Sequence, residues 1–359
     1  MQIDKLFFAF TDFWRRLQKR PKPETKTTLL HSASGRTKLS PEPSIAAIGG
    51  GTGLSTLLRG LKKYTGKISA IVNVTDDGGS SGRLRENLDM LPPGDIRNCL
   101  VALANTEPLL KKLFEYRFTT GEGLAGHSLG NLFLAALTDE FGFEEAVVAA
   151  SRVLAISGEV LPVTLDKLVL KAKMVDGRIV RGESNIPQAG GKIQRLYLEP
   201  ETSTIYPAAK KAILSAQLVV VGPGSLFTSL IANLLVPGVV EALRQTPAQK
   251  IYICNVMTQK GETDAFTAAD HLQAIYDHVG EALFDTVIIN NNLNIPGVLL
   301  KKYAQEGSFP VNPDLERVQK MGVRVVAADL ISPAELVRHD PDKLARVVIK
   351  EINHGRRTN

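Results

Sequence analysis

Two polar loops, spaced about one βα unit apart, constrain this chain more than any other feature. The first, Gly49-Gly50-Gly51-Thr52-Gly53, follows a short apolar run at residues 45–48 and opens onto a helix-like stretch, residues 54–64. The second, Asp76-Asp77-Gly78-Gly79-Ser80-Ser81-Gly82-Arg83, follows the apolar run at residues 68–74. Glycines at a strand end let backbone N–H groups approach an anion, and the helix that follows turns its positive end to the same spot. An acidic pair at the end of the next strand stands where α/β nucleotide binders place a ribose or metal contact. The pattern points to a nucleotide or a phosphorylated metabolite.

Neither loop is a standard fingerprint. Counted from Gly49, the third glycine of GxGxxG falls on Leu54, and no Lys-Ser/Thr follows as in a P-loop. Thr52 and Ser55 add hydroxyls where a phosphate would rest. Helix-end effects are worth about 0.3–2 kcal/mol each, whereas a micromolar ligand needs about 8 kcal/mol, so further loops must share the work. In the second loop Asp76 and Asp77 are candidates for Mg²⁺ or for ribose hydroxyls. Ser80 and Ser81 add hydroxyls, and Arg83 or Arg85 can pair with phosphate. Pro92-Pro93-Gly94-Asp95-Ile96-Arg97-Asn98 sets a rigid turn before a helix, with Asp95 expected to cap it and Arg97 and Asn98 free to face a ligand. Gly126-His127-Ser128-Leu129-Gly130-Asn131 opens another helix; His127 has no relay partner at recognisable spacing, so a polar ligand contact is expected of it and of Asn131. Gly222-Pro223-Gly224-Ser225 after an apolar run repeats the strand, glycine turn and helix design, a second anion-binding candidate. Asn255 and Thr258 leave a further strand, and Asn290, Asn291 and Asn292 end another, where they could read a base or sugar. All these loops are expected at the carboxyl edge of one sheet.

The alternation of β-rich runs with helical patterns from Ser44 onward predicts a mainly parallel sheet with helices on both faces. The expected strands are residues 45–48, 68–74, 218–221, 250–254, 287–290 and 323–327. Residues 109–156 read as helices with Leu113, Phe114, Leu132, Leu137 and Val148 as core candidates. Residues 168–174 and 178–181 flank the hairpin signal Asp176-Gly177, and 193–198 reads as a third strand, together a small antiparallel elaboration. His271 and His278, seven apart on one helix, are expected at a partner or core edge and not on a metal.

Charge narrows the partners. Residues 1–43 hold nine Lys/Arg against four Asp/Glu, so nearly all of the chain's net +6 sits there and the remaining 316 residues carry about +1. A near-neutral body offers no basic surface for nucleic acid, and none is expected as a partner. Ile3, Leu6, Phe7, Phe10, Phe13, Trp14 and Leu17 line one face of an amphipathic helix with a basic end, followed by a Pro/Ser/Thr/Lys-rich linker. Residues 1–20 either dock on the body or a second subunit, or rest on an anionic membrane surface. No apolar stretch approaches the roughly 18 residues of a membrane span, and residues 6–10 are too short an apolar run for a signal peptide. Cys99 and Cys254 lie in apolar segments without metal-spaced partners, which suits a reducing compartment and a cytoplasmic protein. The expected division is a helix plus linker at 1–43, a single domain at 44–352 and a tail at 353–359.

With these loops laid out, the chain resembles the YvcK-type gluconeogenesis factor family, within the superfamily of the 2-phospho-L-lactate transferase CofD. The resemblance spans roughly residues 44–329 and rests on IGGGTGLS (48–55), DDGGSSGRLR (76–85), PPGDIRN (92–98), GHSLGNL (126–132), VGPGSLFTS (221–229) and NVMTQKGETD (255–264). It implies a three-layer α/β/α, Rossmann-like fold and a bound nucleotide-sugar, UDP-N-acetylglucosamine in characterised relatives, with a regulatory role in cell shape, cell-wall control and gluconeogenic growth. An unidentified protein partner and a homo-oligomer are compatible with that role. The enzyme branch of the superfamily transfers a phospholactyl group from a guanylylated donor with Mg²⁺, so catalysis stands as the alternative.

Overall fold

The computed structural model describes residues 42–332 and 336–355, with side chains to 352; the amphipathic helix and linker expected at 1–43 fall almost wholly outside them. Among the described residues there are ten strands: β1 (Ile45–Gly49), β2 (Ile68–Val72), β3 (Glu159–Pro162), β4 (Val169–Met174), β5 (Ile179–Arg181), β6 (Ile193–Glu199), β7 (Leu218–Val221), β8 (Gln249–Ile253), β9 (Thr286–Asn290) and β10 (Arg324–Ala328). Seven form one sheet in the order β10-β9-β8-β7-β1-β2-β3, and every pairing in it is parallel. Strands buried on both faces read as unbroken apolar runs, and the packing shows it residue by residue. In β1, Ala46 and Ile48 join one core while Ile45 and Ala47 join the other; Val219 and Val221 of β7 separate in the same way from Leu218 and Val220. This is a three-layer α/β/α architecture. The remaining strands form an antiparallel sheet, β5-β4-β6, whose inward residues Leu170, Ala172, Met174, Leu196 and Leu198 close over the first core.

Three features depart from expectation. Strand β3, the edge of the large sheet, is only four residues long and ends in Pro162, too brief and too interrupted to read as a strand. Leu113 and Val148 are exposed, at 42% and 49%. Neighbouring residues on a helix point about 100° apart, so Phe114 and Val147 take the inward positions and their neighbours face out. His271 and His278 are buried rather than at an edge; Nε2 of His278 accepts a hydrogen bond from the Leu196 N–H at 3.1 Å, tying helix Ala268–Val279 to β6.

Strand order reverses between β1 and β7. From β1 the chain moves outward through β2 to β3, then returns beside β1 and fills the other side through β10. The divergence of the connections leaves a crevice at the carboxyl ends of β1 and β7.

Candidate functional site

Both glycine turns open into that crevice. Helix α1 (Gly51–Leu61) starts directly after β1, with Gly51 in the left-handed region at φ +59°. The second turn leaves β7 through a cis Gly222–Pro223 bond and enters a π-helical segment, Leu226–Ile231. The turns touch: a Cβ on Gly53 would lie 2.4 Å from the Pro223 carbonyl oxygen. Asn255, beyond β8, holds the second turn by accepting from Gly224 N–H (3.3 Å) and donating to Gly224 O (2.8 Å). Together they line a cavity of about 390 Å³ that includes Gly50, Gly51, Thr52, Gly53, Gly224, Ser225, Asn255 and Thr258. Gly49 and Gly222 end the strands beneath it. Ser55 turns away, donating to the Thr52 carbonyl at 3.0 Å, and Thr56 stands at the lining instead.

A polar network continues from this cradle. Asp95 is not the cap of its helix, α2 (Gly94–Leu103), whose N-cap is Pro93. Its half-buried carboxylate accepts from the Gly51 N–H and from Asn98, and burial, then the charge of Asp76, pushes it up to about 6. Asn98 in turn accepts from Arg97 (2.6 Å), which also donates to Ser128 Oγ (2.5 Å). Ser128 caps helix α3 (Leu129–Phe141) by accepting from Asn131 N–H. Asn131 donates to Ser80 Oγ at 3.0 Å, and Ser80 pairs with His127 Nδ1 at 2.9 Å. So His127 does have a serine partner, 47 residues away in sequence. Burial and the charges of Arg83 and Arg117 lower its pKa; these arginines hold the adjoining turn through Ala125 O and Gly126 O.

The acidic pair divides. Asp77 accepts from the N–H groups of Glu183 (2.9 Å) and Ser184 (2.8 Å), fastening the antiparallel sheet to the acidic loop. Asp76 instead accepts from Gly78 N–H and stands near Ser81, in room left by Gly94, where a Cβ would meet both side chains. Neighbours in extended chain point to opposite sides, so two adjacent carboxylates rarely face one ligand. Among the described residues no three His, Cys, Asp or Glu side chains are grouped to hold a metal. Beyond Asp76 lie two further carboxyls: Glu262, inside the 255–264 motif but given no role there, and Glu183, outside every motif. Burial, then Asp76, raises Glu183 to about 8, and burial raises Glu262 to about 7. Both engage the Thr228 hydroxyl, which has one proton to donate.

A family model described as 2-phospho-L-lactate transferase CofD matches residues 45–331. The chain belongs to the CofD family. Within that family, the gluconeogenesis factor of Bacillus subtilis (strain 168) is 49% identical over 310 residues, covering 86% of this chain and 98% of that protein. The gluconeogenesis factor of Listeria innocua is 45% identical, covering 86% and 95%. A crystal structure of a UPF0052-family protein from Bacillus halodurans matches with a TM-score of 0.83 and 47% identity, over 86% of this chain and 99% of that one.

Two expectations about loop placement change in this CofD-family chain. The segments 92–98 and 126–131 do not follow strands; hydrogen bonds bring them to the site. Of the three asparagines at the end of β9, two are engaged locally: Asn290 donates to Asn292 O and accepts from Leu330 N–H, and Asn292 donates to Asp329, while Asn291 is exposed. The cavity gains Gln259, Tyr303, Ser308, Arg338 and His339. Only Gln259 lay inside one of the quoted motifs; Tyr303, Ser308, Arg338 and His339 come from segments outside them.

Proposed function

We propose that this protein is a cytoplasmic nucleotide-sugar sensor with UDP-N-acetylglucosamine as ligand, acting in gluconeogenic growth, cell shape and cell-wall control. The observation that carries the reading is the pair of glycine turns in contact at the strand-order reversal, lining one cavity together with the start of α1 and Arg338. Gly50 to Gly53 and Pro223 to Ser225 cradle the diphosphate. Asp76, Ser80, Ser81, Arg83, Asp95, Arg97, Asn98, His127 and Asn131 form the adjoining polar wall. Binding at Gly51 is relayed along the Asp95 to His127 network to a protein partner, or to a second copy of the chain. Relatives named gluconeogenesis factors support the physiological setting. Residues 1–20 add a membrane-surface contact, which liposome co-sedimentation of a chain lacking residues 1–40 tests.

Mg²⁺ fits this site only in part: Asp76 would hold it, whereas both Asp77 oxygens already accept backbone bonds. Such an ion supplies positive charge against ligand phosphates. Calorimetric titration with UDP-N-acetylglucosamine, UDP-glucose, GDP and NADH, with and without Mg²⁺, tests the reading. Heat with the UDP-sugars alone supports it; heat with GDP or NADH alone removes it. The carboxyls Asp95 and Glu183, half-buried, and Glu262, buried, favour a second reading, a phospholactyl transferase-type enzyme. Turnover of a guanylylated donor with a deazaflavin acceptor would establish that activity.

A further inference from the structure

Two polar atoms in the cavity wall have no partner, and both belong to residues without an assigned role. His339 is 7% exposed. Its imidazole donates to the Cys254 carbonyl, and burial lowers its pKa to about 4, so the ring is neutral. A neutral imidazole has one donor and one acceptor nitrogen. With the donor spent on Cys254, Nε2 remains a buried lone pair without a partner among the described residues. Gln259 lines the same cavity. Its amide nitrogen donates to Ser225 Oγ at 2.8 Å, while Oε1 is buried and unpartnered. A buried acceptor left unmet is destabilising, and native interiors keep few of them.

The glycine turns and these two side chains demand opposite chemistry. Backbone N–H groups and the start of α1 favour anionic oxygens. Two bare lone pairs repel such oxygens and call for N–H or O–H groups. We propose that His339 Nε2 and Gln259 Oε1 form an acceptor subsite for hydrogen-bond donors on the uncharged part of the ligand, its base or its sugar. This rests on the nucleotide-sugar reading above. The subsite selects against a bare diphosphate, which carries no such donor when ionised, and so gives the cavity a reason to prefer the whole ligand over its phosphates.

The test is calorimetry on the full chain and on His339→Phe, His339→Gln and Gln259→Met, with UDP-N-acetylglucosamine, UDP and inorganic pyrophosphate as probes. His339→Phe and Gln259→Met each weaken UDP-N-acetylglucosamine about tenfold, the size of one hydrogen bond, and leave pyrophosphate unchanged. His339→Gln, which restores an amide near the Nε2 position, recovers part of the loss. Equal weakening of UDP places the donor on the nucleoside; unweakened UDP places it on the sugar. Either result supports the subsite. Wild-type affinity for UDP-N-acetylglucosamine in both apolar variants overturns the subsite and leaves the nucleotide-sugar reading intact. Absence of binding by the unmodified chain overturns both. Should His339→Phe fail to fold by circular dichroism, the half-exposed Gln259→Met decides alone.

Discussion

Gly53 shows what a single missing Cβ secures. A methyl there would lie 2.4 Å from Pro223 O and 2.9 Å from the Gly224 nitrogen, both backbone atoms that cannot swing aside. Gly53→Ala must therefore part the two turns, at a cost of about 1–3 kcal/mol in the manner of overpacked cores, and it opens the cradle. The expected outcome is a lowered melting temperature together with lost nucleotide-sugar binding in calorimetry. At Gly50 the same methyl meets Asp95 Oδ2 at 2.5 Å, the end of a side chain. Gly50→Ala should then disturb the link to Asp95 with a smaller stability loss. Unchanged binding in Gly53→Ala would show that the turns do not form one cradle. Sequence reading found these glycines because flexibility and spacing are local properties. It misjudged Asp95 because a carboxylate in the first turn of a helix has two outlets, its own helix end and a neighbouring loop, and only the packed fold brings Gly51 within reach.

At the level of elements, the antiparallel sheet is fastened to the parallel one through Asp77. Its two oxygens accept the backbone N–H groups of Glu183 and Ser184, and hydrogen bonds to a charged group are worth roughly 1.5–3 kcal/mol each. Asp77→Ala should lower the melting temperature clearly and increase amide exchange across β4–β6. Asp76→Asn, by contrast, should leave the melting temperature nearly unchanged while weakening the ligand or its Mg²⁺ dependence. Equal thermal effects of the two substitutions would refute this division of labour. The central strands were legible because both their faces are buried and they read as unbroken apolar runs, unlike the edge strand β3, while β4 alternates buried and half-buried residues. What sequence could not supply was the join. Asp76 and Asp77 are identical in type and adjacent, and a hairpin more than a hundred residues away decides which one faces the site. The same holds for Ser80 and His127, whose pairing depends on two helices meeting.

For the whole molecule, the carboxyls packed behind the cradle set how stability depends on pH. Asp95, Glu262 and Glu183 are raised to about 6, 7 and 8, from ordinary values of 3.8, 4.5 and 4.5. Between the ordinary and the raised values the native state holds more protons than the unfolded chain. Stability from these groups is therefore complete below the ordinary carboxylate range and is lost as pH rises through the raised values. His339 carries the opposite sign. Its pKa is lowered from 6.5 to about 4, so the unfolded chain holds the extra proton in that interval and stability falls as pH is lowered. Melting temperatures in EDTA separate the two terms. For Glu183→Gln, which keeps a neutral group beside Thr228, the melting temperature relative to the unmodified protein should become more positive from pH 5.5 to pH 8.5. For His339→Gln the corresponding difference should become more positive from pH 7 down to pH 5. Parallel pH profiles for all three proteins would mean that neither buried group titrates differently on unfolding. In that case the carboxyls behind the glycine turns would not be the proton-holding cluster that their burial and their shared Thr228 hydroxyl require.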